Sequence, residues 1–186
     1  DMRLRRALAL QRPADPVETE VLLRHALASH APSIVALTRQ KVPFLKLPRA
    51  TVENAAKGAY VVRDVPNPDM IIIGTGSAPS LAIGAADKLA NLKVRVVSMP
   101  CWELFEAQPE EYKEAVLPDA IRARVTVEQA SRFGWERYAG RTGAMIGMLG
   151  FGASAPLKDL QKKFGFLPER VAQAAKEQIA KFGRPQ

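Results

Sequence analysis

The sequence has little cysteine and no long apolar run, and both absences restrict what the protein can be. Cys101 is the single cysteine among 186 residues, which excludes an internal disulfide framework and suits a reducing compartment. No apolar run approaches the roughly 20 residues that a membrane span needs. The apolar part of residues 1–10 is short and lacks a cleavage context, so we expect no signal peptide. These absences predict a cytoplasmic protein without a membrane partner.

Aromatic residues are also scarce, at 6% of the sequence, although the net charge is +8. Basic residues are scattered among acidic ones, and no basic motif is interleaved with aromatic residues that could stack on bases. Arg3 to Arg6 is a small basic cluster without further structural signal. We therefore expect no nucleic-acid partner, and the mixed charges fit a soluble surface that meets small anionic substrates.

Residues 70–105 predict a strand–helix–strand unit. Met70–Ile73 is apolar and rich in β-branched residues, which is typical of a strand buried on both faces. The turn Gly74-Thr75-Gly76-Ser77 follows, and Ser77 is the expected cap of a helix with apolar residues at helical spacing. Val94–Val97 is the next predicted strand. A crossover of this length makes the two strands parallel neighbours.

Strands and helices alternate along the remaining chain. Further strands are predicted at Leu8–Leu10, Ser33–Leu37, Tyr60–Val62, Arg122–Val127 and Ala144–Leu149. Further helices are predicted from Asp15-Pro16 to Ser29, at Thr51–Lys57, Pro109–Val116 and Phe133–Tyr138, after a Ser154 cap with Pro156 in the first turn, and at Pro168–Phe182. The extended segment Val42–Pro48 predicts a linker. This alternation predicts an α/β fold, a doubly wound and mostly parallel sheet with helices on both faces.

Four side chains are candidates for chemistry, and each has a plainer alternative. Arg39 follows a predicted strand, where α/β proteins bind ligands, or it marks only the exit of that strand to solvent. Glu128 ends another strand and suits acid–base catalysis, but no second titrating partner is visible. His25 could be a ligand, although packing or surface roles are commoner. Cys101 has no histidine near it in sequence, which favours a structural role.

The turn Gly74–Ser77 could hold an anion at the N-terminus of the following helix. Pro79 and the lack of a correctly spaced third glycine exclude a dinucleotide fingerprint. The turn also lacks the Gly-Lys-Ser/Thr ending of a Walker loop. A tight turn without a ligand is the favoured interpretation.

These motifs, in this order, resemble transketolases. The matching segments are Arg12–Asp15 with Glu18, Ala36–Gln40, Lys57–Val61, Gly74–Ser77, Arg95–Pro100, Val127-Glu128, Phe133–Trp135 and Phe151–Pro156. Each segment is weak evidence alone, but together they cover nearly the whole chain after residue 11. The sequence departs from the family pattern at Ala78, where glutamate is common, and at Gln129-Ala130 and Gly150, none of which is a catalytic position.

The resemblance implies the carboxyl end of a transketolase. Residues 1–41 would be a remnant of the pyrimidine-binding domain, 42–57 a linker with a short helix, and 58–186 the C-terminal domain. The family transfers a two-carbon ketol unit (glycolaldehyde) between sugar phosphates of the pentose phosphate pathway. It works as a homodimer with thiamine diphosphate and Mg²⁺ or Ca²⁺, and its cofactor, metal and catalytic residues lie upstream. The sequence contains neither a Gly-Asp-Gly motif nor an Asp-Gly-Pro-Thr-His segment.

The resemblance therefore implies no catalytic, cofactor-binding or metal-binding residue in this chain, and no turnover without the missing upstream domains. One functional residue of the family does fall on the sequence. The arginine that holds the substrate phosphate in the Leu-Ser/Thr-Arg-Gln motif corresponds to Arg39, and a guanidinium suits bidentate phosphate binding. The rest of the chain would support the dimer and the wall of the active site.

Two alternatives stay open at this stage. The first is another thiamine enzyme, either deoxyxylulose-phosphate synthase or a 2-oxo-acid dehydrogenase β subunit. The segments Thr38–Gln40 and Phe151–Pro156 favour transketolase over these. The second is a free-standing regulatory module that binds an anion at Gly74–Ser77.

Overall fold

The computed structural model describes residues 8–185, and the basic cluster Arg3 to Arg6 lies outside the described residues. The strands are β1 (Ala9–Gln11), β2 (Ser33–Val35), β3 (Tyr60–Arg63), β4 (Met70–Gly74), β5 (Val94–Ser98), β6 (Arg124–Ser131) and β7 (Ala144–Met148). The α-helices are α1 (Pro16–Ala28), α2 (Arg49–Val52), α3 (Ala78–Asp87), α4 (Trp102–Glu106), α5 (Glu110–Val116), α6 (Glu136–Ala139), α7 (Leu157–Phe164) and α8 (Pro168–Phe182), and a 3₁₀ turn covers Glu53–Lys57. No helix within residues 8–185 has the length and apolarity to cross a bilayer.

Five strands form the main sheet in the order β3-β5-β4-β6-β7. The strands β5, β4, β6 and β7 are parallel, and β3 pairs antiparallel with β5 at one edge. The predicted parallel pairing is confirmed, since Met70 lies opposite Val94 and Gly74 opposite Ser98. The chain crosses from β4 to β5 on one side and from β6 to β7 on the other. The strand order therefore reverses between β4 and β6, the position where α/β sheets commonly bind ligands.

The two faces of β4 carry two separate apolar cores, which explains why its sequence is uniformly apolar. Met70 and Ile72 face a core that includes residues from α1, α3 and α8, whereas Ile71 and Ile73 face the aromatic core around α4 to α6. In the aromatic core, the rings of Trp102 and Trp135 pack edge to face with centroids 4.9 Å apart. Helices thus cover both faces of the sheet, as the sequence predicts.

Residues 8–35 form a separate β1–α1–β2 unit whose two strands pair in parallel. Helix α1 begins as predicted, because Asp15 is extended and its Oδ1 accepts the N–H of Glu18 at 2.9 Å. Strand β2 ends at Val35 instead of Leu37. Its only partner among the described residues is the three-residue strand β1, so no ladder supports a longer strand.

The predictions that Ser77 and Ser154 cap helices are both wrong. Ser77 has helical dihedrals, φ −73° and ψ −5°, and its side chain makes no capping hydrogen bond. Helix α7 starts three residues after Ser154, because Pro156 is extended at φ −53° and ψ 143° and takes the cap position. Strand β6 begins at Arg124 and continues to Ser131, since it pairs with β7 beyond an irregularity after Val127.

Gly58 provides a stringent test of how the edge of the sheet is packed. It has φ +89°, and a Cβ there would collide with the backbone of Cys101, Leu104 and Phe105. We expect Gly58→Ala to lower the free energy of unfolding by about 2–4 kcal/mol, because positive φ and backbone overlap both penalise a side chain. Urea titration followed by circular dichroism measures this loss. Gly152→Ala is the control, since nothing lies within 4 Å of a Cβ there, and an equal loss in both variants would contradict the packing.

Candidate functional site

The carboxyl edge of the sheet, where the strand order reverses, is entered by the segment that follows β1. The Arg12 N–H donates to the carbonyl of Pro100 at 2.8 Å, and the Arg12 carbonyl accepts the N–H of Gly76 at 3.0 Å. The Arg12 guanidinium forms an ion pair with the Glu128 carboxylate. The backbone and the side chain of one residue therefore bind β4, β5 and β6 together at the switch point.

Glu128 is 6% exposed, and burial raises the pKa of its carboxyl above the ordinary value while the Arg12 charge opposes that rise. The sequence showed no partner for this carboxylate, and the structure supplies one from 116 residues away. A buried carboxylate held by a guanidinium is a docking contact. The acid–base role considered for Glu128 gains no support, because no second carboxyl group faces it among the partners that the structure gives it.

A cavity of about 250 Å³ lies beside this ion pair. Its walls are mainly aromatic and apolar, and they include Leu10, Met99, Trp102, Phe133 and Trp135. The ring of Phe133 stands at the protein surface with 88% of the residue exposed. The cavity is small and mostly apolar, and the charged side chains of Arg12 and Glu128 in its wall are paired with each other.

Two N–H groups at the turn Gly74–Ser77 are already bonded within the chain. Gly76, at φ +58°, donates its N–H to Arg12, and the Ala78 N–H donates to the Thr75 carbonyl at 3.1 Å. These two N–H groups would face an anion in a phosphate cradle, but here they hold the chain. These bonds support a tight turn at Gly74–Ser77, but the helix cap predicted for Ser77 is wrong.

Glu18 fixes helix α1 to the sheet. Its side chain is 0% exposed, Oε1 accepts the hydroxyl of Ser98 at 2.7 Å, and Oε2 accepts the N–H of Ala14. Burial raises the pKa of the Glu18 carboxyl from 4.5 to about 7, and the two hydrogen bonds only partly offset this. The sequence identified Glu18 as a matching residue, but its contact with Ser98 lies 80 residues away and has no local signal.

Arg39 lies on the loop after β2, and Arg12 lies after β1. Because β1 and β2 are parallel, both arginines follow the carboxyl ends of the same two-stranded sheet. Arg39 is exposed, and no carboxylate within residues 8–185 pairs with it. Its neighbours Thr38 and Gln40 bond to each other, Thr38 Oγ1 donating to Gln40 Oε1 at 3.2 Å. The guanidinium is therefore accessible to an anion.

The remaining candidates have structural surroundings. Cys101 is 1% exposed, its Sγ lies 3.4 Å from Glu103 Oε2, and burial raises the pKa of the thiol to about 12. A protonated buried thiol is a poor nucleophile, which agrees with the structural interpretation. His25 lies in the last turn of α1. In the part of the chain that is described, no three His, Cys, Asp or Glu residues are grouped to bind a metal ion.

Comparison with known proteins identifies the family. Residues 58–167 match the model of the transketolase-like TK C-terminal domain. The chloroplastic transketolase of Solanum tuberosum is 48% identical over 172 residues, which is 89% of this chain and 23% of that protein. The chain belongs to the transketolase family.

Solved transketolases share this fold. The transketolase of Leishmania mexicana superposes with a TM-score of 0.90 at 43% identity, over 96% of this chain and 26% of the other. A Pichia stipitis transketolase in complex with sedoheptulose-7-phosphate superposes with a TM-score of 0.87 at 39% identity, over 94% of this chain and 25% of the other. This chain thus spans about a quarter of the length of these relatives and corresponds to the transketolase C-terminal region. The predicted family and fold class are confirmed.

Glu18→Gln tests the buried carboxylate through pH. The folded protein keeps the Glu18 proton up to a pKa of about 7, whereas the unfolded chain releases it near 4.5. The folded state thus binds more protons between these values, so this group's contribution to stability is complete below pH 4.5 and falls as the pH rises through 7. We expect Glu18→Gln to become more stable relative to wild type by roughly 2–4 kcal/mol from pH 4.5 to 8. Urea unfolding across this range measures the change.

Glu111→Gln is the control, because Glu111 is exposed on α5. Its free-energy difference from wild type should stay constant across the same pH range. A constant difference for Glu18→Gln as well would contradict the buried, protonated carboxyl.

A double-mutant cycle on Arg12→Met and Glu128→Gln measures how strongly the N-terminal segment is docked. We expect a coupling of about 1–3 kcal/mol, because only 26% of the Arg12 and 8% of the Glu128 side chain is exposed. The Arg63–Asp87 pair, with side chains 39% and 62% exposed, is the control, and its coupling should stay below about 1 kcal/mol. Equal couplings for both pairs would contradict the docking role of Arg12.

Proposed function

We propose that the chain is the C-terminal portion of a transketolase that transfers a two-carbon ketol unit between sugar phosphates with thiamine diphosphate and a divalent metal. In this proposal residues 1–41 belong to the pyrimidine-binding domain, 42–57 connect the domains, and 58–186 form the C-terminal domain. Arg39 binds the phosphate of the substrate. The chain supports the dimer and does not catalyse alone.

The observation that carries this proposal is the open β1–β2 sheet beside Arg39. Parallel strands are normally buried on both faces, and a sheet of two strands is marginal by itself. Here Leu10 is 44%, Ile34 49% and Leu37 61% exposed. Such a sheet is suited to receive further strands from an upstream domain. The carboxyl end that carries Arg39 would then line the site that this domain completes.

Arg39 suits the phosphate for chemical reasons. Guanidinium donates two parallel N–H bonds to phosphate oxygens, which orients the substrate as well as attracting it. The nearby polar side chains of Thr38 and Gln40 bond to each other and leave the exposed Arg39 free of them. Lys41 is also exposed on this loop, but its ammonium group lacks the planar fork of a guanidinium. Thiamine diphosphate supplies the carbanion chemistry when it is bound to the whole enzyme. In this proposal the residues that bind the cofactor and the metal belong to the upstream domains, and this chain is assigned no step of that chemistry.

The alternative functions are less well supported. The matches named above are transketolases, which favours this family over the related thiamine enzymes. A regulatory module that binds an anion at Gly74–Ser77 would need free N–H groups in the turn. The Gly76 N–H is already bonded to Arg12.

Ketol transfer from xylulose 5-phosphate to ribose 5-phosphate tests the proposal, with thiamine diphosphate and Mg²⁺ present. We expect no turnover by this chain alone and turnover after the upstream domains are added. In the complemented enzyme, Arg39→Ala should raise the KM for phosphorylated substrates at least about tenfold, since a charge-assisted bidentate contact contributes roughly 1.5–3 kcal/mol. Arg39→Lys should recover only part of this loss.

The matched control replaces phosphorylated sugars with xylulose and ribose, for which Arg39→Ala should change the KM less than twofold. Arg170→Ala on α8 removes an exposed arginine elsewhere and should leave both reactions unchanged. Turnover by the isolated chain would refute the assignment of the chemistry to upstream domains. An equal loss with both sugar pairs would refute phosphate binding by Arg39.

A further inference from the structure

A groove of about 610 Å³ lies at the amino ends of β6 and β7. Its walls come from the segment before β6, from α6 and the loop after it, and from the end of α8. We call it the arginine groove, because Arg122, Arg124, Arg137 and Arg141 line it. Asp119 is the one carboxylate residue among its lining residues.

Arg124 builds the floor of the arginine groove. Its guanidinium donates to four backbone carbonyls, those of Ile121 at 2.8 Å, Pro118 at 2.7 Å, Leu117 at 3.1 Å and Tyr138 at 3.1 Å. These bonds tie the segment before β6 to α6, so the groove is a built feature of the fold. The Arg124 side chain is 12% exposed, and its Nη2 also lies 3.9 Å from the carboxylate of the exposed Asp119.

The guanidinium groups of the other three arginines have N–H donors available for a ligand. Arg122 stacks over the ring of Phe182, 5.1 Å from its centroid. Arg137 lies 3.7 Å from a Glu106 oxygen, which is beyond a good hydrogen bond. Within residues 8–185, no carboxylate pairs with Arg122 or Arg141. Arg137 is thus only weakly paired with Glu106, and Arg122 and Arg141 present guanidinium groups without a carboxylate partner among the described residues to the same cavity.

We propose that the arginine groove binds a small oligophosphate, a compound in which two or more phosphates are linked. Guanidinium forks match phosphate oxygens bidentately. Four arginines and one aspartate give the lining residues a net charge of +3, which exceeds the charge of roughly −2 on a single phosphate. The volume falls within the roughly 300–1,000 Å³ of typical small-molecule sites. The groove also lies at the opposite end of the strands from Arg12 and Thr75. The surface proposed to meet the upstream domains therefore leaves it accessible.

Isothermal titration of the full chain with sodium triphosphate tests this site. We expect saturable binding of one equivalent, and Arg122→Ala with Arg141→Ala should weaken it at least tenfold. Arg122→Lys with Arg141→Lys keeps the charge but loses the planar fork, so it should give an intermediate affinity. Circular dichroism of each variant verifies the fold, which is expected to survive because both side chains are exposed.

The control is Lys158→Ala with Lys162→Ala, which removes two exposed positive charges from α7. This pair should change the affinity less than twofold. An equal loss in the lysine and arginine double variants would overturn the proposal, because it would indicate attraction to net charge alone. Absence of saturation at millimolar triphosphate would also overturn it, as would tighter binding of an acidic peptide of the same charge.

Discussion

The attachment of residues 8–28 to the carboxyl edge of the sheet is the constraint on which the rest of the arrangement depends. Arg12 bonds through its N–H, its carbonyl and its guanidinium, and Glu18 bonds to Ser98 from the first turns of α1. All of these contacts join residues far apart in sequence, and they come from one short segment. The position of Arg39 follows from them, because among the described residues β2 pairs with β1 and packs against α1.

The pattern of elements was predictable because it depends on local chemistry. Met70–Ile73 is apolar at every position, as a strand between two cores must be, and Asp15-Pro16 starts α1 with a cap and a suitable first residue. The two serine caps were predicted wrongly for different reasons. Ser77 itself has helical dihedrals, and the extended Pro156 takes the cap position before α7. The ion pair of Glu128 and the burial of Glu18 were not predictable, since their partners are 116 and 80 residues away.

The docking contacts also limit what chemistry the carboxyl edge can perform. In an open α/β sheet this edge at the strand reversal is where a ligand would sit. Here the N–H of Gly76 and the carboxylate of Glu128 are both bound to Arg12, so the chain occupies its own switch point. A function that needs this edge free would require the N-terminal segment to leave, and a buried carboxylate would then lose its partner. The edge is therefore an internal interface.

The two ends of the sheet differ in how their charged side chains are paired. At the carboxyl end the charged groups neutralise one another inside the protein, and the exposed guanidinium of Arg39 lies beyond them on its loop. At the amino end the N–H groups of Arg124 donate to backbone carbonyls, while Arg122 and Arg141 have no carboxylate partner among the described residues. Exposed arginines on a common wall repel one another, and such repulsion costs free energy unless an anion offsets it. Arg124, whose side chain is 12% exposed, ties the walls of the arginine groove together through its four carbonyl partners and so keeps these arginines close. An anion bound between them would relieve this repulsion, which supports the proposed ligand at the amino end.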